Sequence, residues 1–88
     1  MEIAEIRKAI IEMINEKLVI FNIAKAEVND DFDLVKSGLL DSMSFIDMVA
    51  GLEDIFTVEV DFDVASETDD FTTVGGLTKL INETKDAG

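Results

Sequence analysis

Apolar residues recur along the N-terminal segment at three- and four-residue steps: Ile3, Ile6, Ile10, Met13, Ile14 and Leu18. That spacing places one apolar stripe on an amphipathic helix. Glu2 and Glu5 stand near its positive end and Lys17 near its negative end, as the helix macrodipole favours. The pattern then loses its period in "LVIFNIA", so sequence leaves the end of the helix open. From about Asn22 to Asp41, Val28, Phe32, Leu34, Val35, Leu39 and Leu40 are scattered among Asn, Asp, Ser and Gly. This reads as a long loop pinned to the core by those side chains, with room for a helical turn inside it.

The stretch "GLLDSMSFIDMVAGLEDIF" restores the helical period. Phe45, Val49, Leu52 and Phe56 form the stripe, Ile46 and Ile55 widen it, and Asp41 is a favoured N-cap. Gly51 inside this helix marks either a packing concession or the close approach of a partner. "TVEVDF" alternates apolar and polar residues over too short a run for a sheet, and "VASETDD" suits one or two helical turns. Thr72 or Thr73 then caps a last helix whose stripe is Val74, Leu77, Leu80 and Ile81, with Gly75 and Gly76 weakening its first turn. The expected fold is all-α: a small bundle of three main helices plus one short helix, with a long loop between the first two main helices. At this length, residues 1–88 are expected to form a single domain.

Charge adds information about partners. Twenty acids against seven bases give a net charge of −13, which disfavours nucleic acid and anionic lipid as partners. From Ser37 to Thr78 there is no Lys or Arg, while ten acids occur. A partner of that region is expected to present a basic surface. No apolar run is long enough for a membrane span, and the N-terminus lacks the form of a secretory signal. With no cysteine, a cytoplasmic location is expected, and so is a monomer.

Candidate chemistry is sparse. The chain has no His, Cys, Tyr or Trp, so the usual groups that titrate near neutrality are missing, and a self-sufficient enzyme is not expected. Glu59, Asp61, Asp63 and Asp70 match ligand positions 1, 3, 5 and 12 of an EF-hand-length loop. Val64 stands where that loop needs glycine, so no dedicated metal site is expected. Ser42 has no neighbouring base to activate it as a nucleophile. At the first turn of a helix, however, its hydroxyl suits an attached phosphate, which the unpaired N–H groups and the dipole favour. The plainer alternative is that Asp41-Ser42 only caps the helix.

Four features in order resemble one known family. Asp41-Ser42-Met43 heads an acidic helix that ends in Glu53 to Phe56, Val58-Glu59-Val60 follows, and Thr73-Val74 starts the last helix. In this order and spacing the set resembles acyl carrier proteins over most of the chain. The resemblance implies 4'-phosphopantetheine, derived from coenzyme A, joined to the Ser42 hydroxyl with Asp41 assisting at the site. It implies a phosphopantetheinyl transferase (holo-synthase) as partner, and acyl-loading and acyl-processing enzymes with basic docking patches. The arm's thiol would carry acyl groups as thioesters. With Val49, Leu52 and Phe56 inward, Met43, Asp47, Ala50 and Asp54 fall on the outer face, bordered by Glu53. That face matches the one on which similar proteins meet their partners.

Departures from the common pattern point to a subtype. Gly38 stands four residues before the serine rather than three, and "GLLDS" is more similar to D-alanyl carrier proteins and other specialised carriers. Ser44 replaces a common acid, Thr57 replaces a common glycine, and the segment from Glu59 to Thr72 is long. These features direct the expectation to a specialised lipid or secondary-metabolite (polyketide-like) pathway rather than bulk fatty acid biosynthesis. An aminoacyl carrier is the alternative. An acidic calcium-binding protein and an unmodified interaction domain are the further ones.

Overall fold

The computed structural model describes residues 3–65 and 70–87. Glu2 and residues 66–69, with most of the turn expected in "VASETDD", lie outside the described residues. The elements are α1 (Ile3–Ile20), a 3-10 turn (Lys25–Glu27), α2 (Ser42–Phe56), a one-turn α3 (Phe62–Ala65) and α4 (Val74–Ala87). Among the described residues there is no strand, only one antiparallel bridge, Asp33 to Thr73. The all-α bundle expected from periodicity is the fold observed, and the 3-10 turn is the helical turn inside the long loop.

One apolar cluster holds these elements together. Ile6, Ile10, Ile14 and Leu18 of α1 meet Val49, Leu52 and Phe56 of α2 and Val74, Leu77 and Ile81 of α4. The loop contributes Val28, Leu34, Leu39 and Leu40, all buried. The stripe on α1 is narrower than its sequence suggests, because Ile3 and Met13 are exposed. On α2 the expected widening by Ile46 and Ile55 is not found; they are 47% and 57% exposed. Met48 is buried in their stead, three residues after Phe45 and four before Leu52, which turns the stripe toward α1. The close approach at Gly51 comes from inside the chain: a methyl group there would stand 2.5 Å from Met13 Cε.

The glycine pair of α4 also has a packing cause. Gly75 N–H donates to Asp30 O at 2.9 Å, Val74 N–H to Phe32 O at 3.0 Å, and Gly76 N–H to Thr73 Oγ1 at 2.9 Å. The first turn of α4 is thus satisfied largely by the loop lying across it. Thr73 is the residue that caps α4; the Thr72 hydroxyl donates instead to Asp33 Oδ2 at 2.9 Å.

The end of α2 is held by three contacts. Thr57 takes the left-handed conformation, φ 54, and its N–H and that of Val58 both donate to Glu53 O. Lys85 Nζ of α4 donates to Phe56 O at 2.9 Å. A β-branched residue is costly in that conformation, by about 1–2 kcal/mol against glycine. Thr57→Gly is therefore expected to raise stability by about 0.5–1 kcal/mol after the added flexibility of the unfolded chain is subtracted. The measurement is the urea midpoint, and a fall would mean that the Thr57 side chain supports the fold.

Candidate functional site

The site is built by the segment that leads into α2. Asp33 Oδ1 accepts the N–H groups of Val35 at 2.9 Å and Lys36 at 2.7 Å, folding the chain into a turn. Gly38, at φ 85, then reverses it, and Leu40 N–H donates back to Leu34 O at 2.9 Å. Leu39 and Leu40 are driven into the core immediately before Asp41. The start of α2 is thus fixed by two buried anchors and one capping carboxylate. Asp41 is extended, φ −84 and ψ 177, and its Oδ1 accepts Ser44 N–H at 2.7 Å.

Ser42 is the first residue of α2 and is exposed. Among the described residues, no group hydrogen-bonds its hydroxyl. The Asp41 carboxyl is held below its ordinary pKa chiefly by the Ser44 N–H, then by the Ser44 hydroxyl. Desolvation opposes this slightly, and the charge of Lys17 and the Met43 N–H add to it. Asp33 is likewise lowered: desolvation raises its pKa, but the bonds from Lys36, Thr72 and Val35, with the Lys36 charge, outweigh it.

Both carboxyls bind protons less readily folded than unfolded. Their contribution to stability is present above the ordinary aspartate pKa of about 3.9 and is lost as pH falls through their lower folded values. Asp33→Asn is expected to cost about 1 kcal/mol at pH 7. That difference from wild type should shrink toward zero as pH falls through the lowered folded-state pKa of Asp33. Urea midpoints of both proteins across pH check this; a difference independent of pH would contradict it.

Two hollows flank the start of α2. One, of about 240 Å³, has Ser42 at its rim and is lined by Val35, Phe45, Ile46, Phe62, Phe71 and Thr72. Phe45 and Phe71 meet edge to face there, with centroids 5.8 Å apart. The other, of about 330 Å³, lies between α1 and α2 and is lined by Met13, Ile14, Lys17, Leu40, Ser44, Asp47 and Met48.

Along α2, Met43, Asp47, Ala50 and Asp54 are all exposed, Met43 at 70%. Glu53 differs from them: it is half-buried, and its Oε2 accepts Val60 N–H at 2.8 Å, closing the turn after α2. Among the described residues, no cluster of three or more acids is placed to hold a metal. The segment whose acids match EF-hand ligand positions contains the helical turn α3, with Asp61 Oδ1 accepting Asp63 N–H at 3.0 Å.

Sequence reasoning missed Phe62 and Phe71 beside Ser42, and Lys17 near Asp41. Aromatic residues in short connecting segments carry no periodicity to reveal their direction. For Lys17 a signal existed: it is one helical repeat beyond Met13, itself opposite Gly51.

A family model described as a phosphopantetheine attachment site matches residues 8–81. The chain belongs to that family. No curated protein and no solved structure shows a match to it. Membership makes this a carrier domain of a non-catalytic family whose prosthetic group is 4'-phosphopantetheine. A phosphopantetheinyl transferase and acyl-handling enzymes are the partners that membership implies. The carrier's described helices include none long and apolar enough to cross a membrane.

The residues present fit a prosthetic group of this kind. A serine hydroxyl with no hydrogen-bond partner among the described residues heads a 15-residue helix, whose N-terminal dipole favours a phosphodiester, and an apolar hollow opens beside it. When bound, the arm supplies the thiol that the chain itself lacks.

Proposed function

We propose that residues 1–88 act as one carrier unit that holds acyl intermediates as thioesters on an arm attached to Ser42. The supporting observation is the exposed Ser42 hydroxyl at the head of α2, in a chain of the phosphopantetheine attachment family. Attachment forms a bond from Ser42 Oγ to the β-phosphorus of coenzyme A. The pyrophosphate P–O bond breaks, 3',5'-adenosine bisphosphate leaves, and the hydroxyl proton passes to a base of the transferase. Asp41 assists by fixing the helix start, through the cap at Ser44. A single cluster of buried residues running from Ile6 to Ile81 supports one unit rather than two.

The hollow beside Ser42 is smaller than the roughly 300–1,000 Å³ usual for ligand pockets, so it suits a short acyl group or the first part of a longer one. Met43, Asp47, Ala50 and Asp54 form the face read by partners, with Glu53 behind it as the brace of the following turn. A specialised lipid or secondary-metabolite pathway fits the departures of the sequence. The "GLLDS" run keeps an aminoacyl carrier as the second reading. The test incubates folded protein with coenzyme A and a broad-specificity transferase, then maps the modified peptide by mass. Label on Ser42 supports the proposal; label on Ser37 or Ser44 refutes the site.

A further inference from the structure

The fold leaves the apolar end of α1 outside. Val19, Ile20 and Phe21 are all exposed, Ile20 at 76% and Phe21 at 53%. The cause is local. Phe21 N–H donates to Lys17 O, Asn22 N–H to Val19 O and Ile23 N–H to Leu18 O, while Asn22 takes φ 57. This left-handed stop turns the chain and sends Ile23 back against the core. The stop does not need Ile20 or Phe21 to be apolar, since polar side chains would serve the same backbone. Single exposed apolar residues are ordinary, but a contiguous cluster marks a contact surface.

The packing of α1 on α2 locates the cluster. Met13 lies over Gly51, and Lys17 shares a groove with Leu40, Ser44 and Asp47. The two helices therefore run antiparallel, and the next turn of α1 comes level with the start of α2. Ile20 ends α1 three residues beyond Lys17, on its face of the helix, and Phe21 follows it in the turn, its N–H still donating to Lys17 O. The antiparallel register puts them at the end of the bundle where α2 begins, the end that carries Ser42 and the exposed apolar Met43.

The surrounding charge selects the occupant. Glu16 precedes Ile20 by one turn, Asp47 lines the groove and Asp41 heads α2, so acids outnumber the cation Lys17 that shares the groove. A second copy would bring −13 against −13 and be repelled. An enzyme surface with an apolar pocket ringed by Lys and Arg is complementary. Enzymes that act on the arm's thiol work an arm's length away. The enzyme that installs the arm must reach the Ser42 hydroxyl itself and so must cover this end of the bundle.

We infer that Ile20 and Phe21, together with Met43, form an apolar docking point for the phosphopantetheinyl transferase, so that α1 as well as α2 is read when the arm is installed. The inference rests on Ser42 as the attachment site. Its test is the loading kinetics of the folded Ile20→Ser/Phe21→Ser variant with coenzyme A and a broad-specificity phosphopantetheinyl transferase. Wild type and Ile55→Ser, at an exposed apolar position near the far end of α2, serve as references.

The double variant is expected to raise KM for the carrier about tenfold with kcat unchanged, while Ile55→Ser behaves as wild type. Should the double variant lose its helical circular dichroism, Ile20→Lys at the most exposed of these positions gives the same readout. An unchanged KM overturns the inference while leaving the attachment reading intact. So does a wild-type dimer, seen in sedimentation, that the double variant dissolves without a change in KM. No loading of wild type, or loading that survives Ser42→Ala, overturns the attachment reading and the inference with it.

Discussion

Gly76→Ala is expected to destabilise the domain by about 2–3 kcal/mol, opposite in sign to the usual effect of replacing a helical glycine. Helix propensity alone favours alanine by up to about 1 kcal/mol. Here the added Cβ would overlap the carbonyl oxygen and carbon of Asp70 and approach Thr73 Oγ1 to 2.9 Å. That carbonyl is not free to move, since it accepts both Thr73 N–H at 3.0 Å and the Thr73 hydroxyl at 2.7 Å. Relief would break the cap of α4 or shift the helix off α1, its most extensive packing partner. In a domain of this size the midpoint of thermal unfolding should drop by roughly 10 °C or more. Gly51→Ala is the internal comparison. Its Cβ would meet only the end of Met13, a flexible and partly exposed side chain that can turn away. Gly51→Ala is therefore expected to be close to neutral. Equal effects at the two positions, read by thermal melts, would contradict the steric account.

Ser42→Ala is expected to abolish loading from coenzyme A while leaving the fold intact. In the proposed attachment the hydroxyl is the acceptor of the phosphoryl group, so its removal leaves no bond to form, whatever the affinity of the transferase. The structural cost is small because the cap of α2 comes from Asp41, whose Oδ1 holds Ser44 N–H, and not from Ser42. Alanine is also a better helix former than serine. Asp41→Ala separates the two roles: it loses the cap and some stability with it, but retains the hydroxyl. Intact mass after incubation, with thermal melts of the same samples, checks both variants. Ser42→Ala protein that unfolds, or that still gains mass, would contradict this account.

Much of the bundle was legible because helical periodicity is a strong signal. Ile6, Ile10, Ile14 and Leu18 on α1, and Val49, Leu52 and Phe56 on α2, are the core that their spacing announces. The errors lie at the edges of those stripes. Ile46 and Ile55 count as core by hydrophobicity, but the direction in which α1 packs decides that Met48 is buried instead. Gly75 reads as a weak helix former because the loop that crosses it comes from around Asp30, far away in sequence, and Gly76 because the fold of the segment just before α4, which brings Asp70 against it, has no periodic signal. At the candidate site, Ser42 and the outer face of α2 follow from one helix and its cap, so they could be read locally. The hollow beside Ser42 joins the loop, α2, α3 and the segment before α4, and no single stretch of sequence encodes it.

The most direct test of the carrier role is the intact mass of this protein purified from its own source, followed by peptide mapping. The account predicts a mass increase of one phosphopantetheine, or of that arm with a retained acyl group, confined to the peptide bearing Ser42. Protein that is wholly unmodified when an active transferase is present, or that carries the group on any other residue, would contradict it.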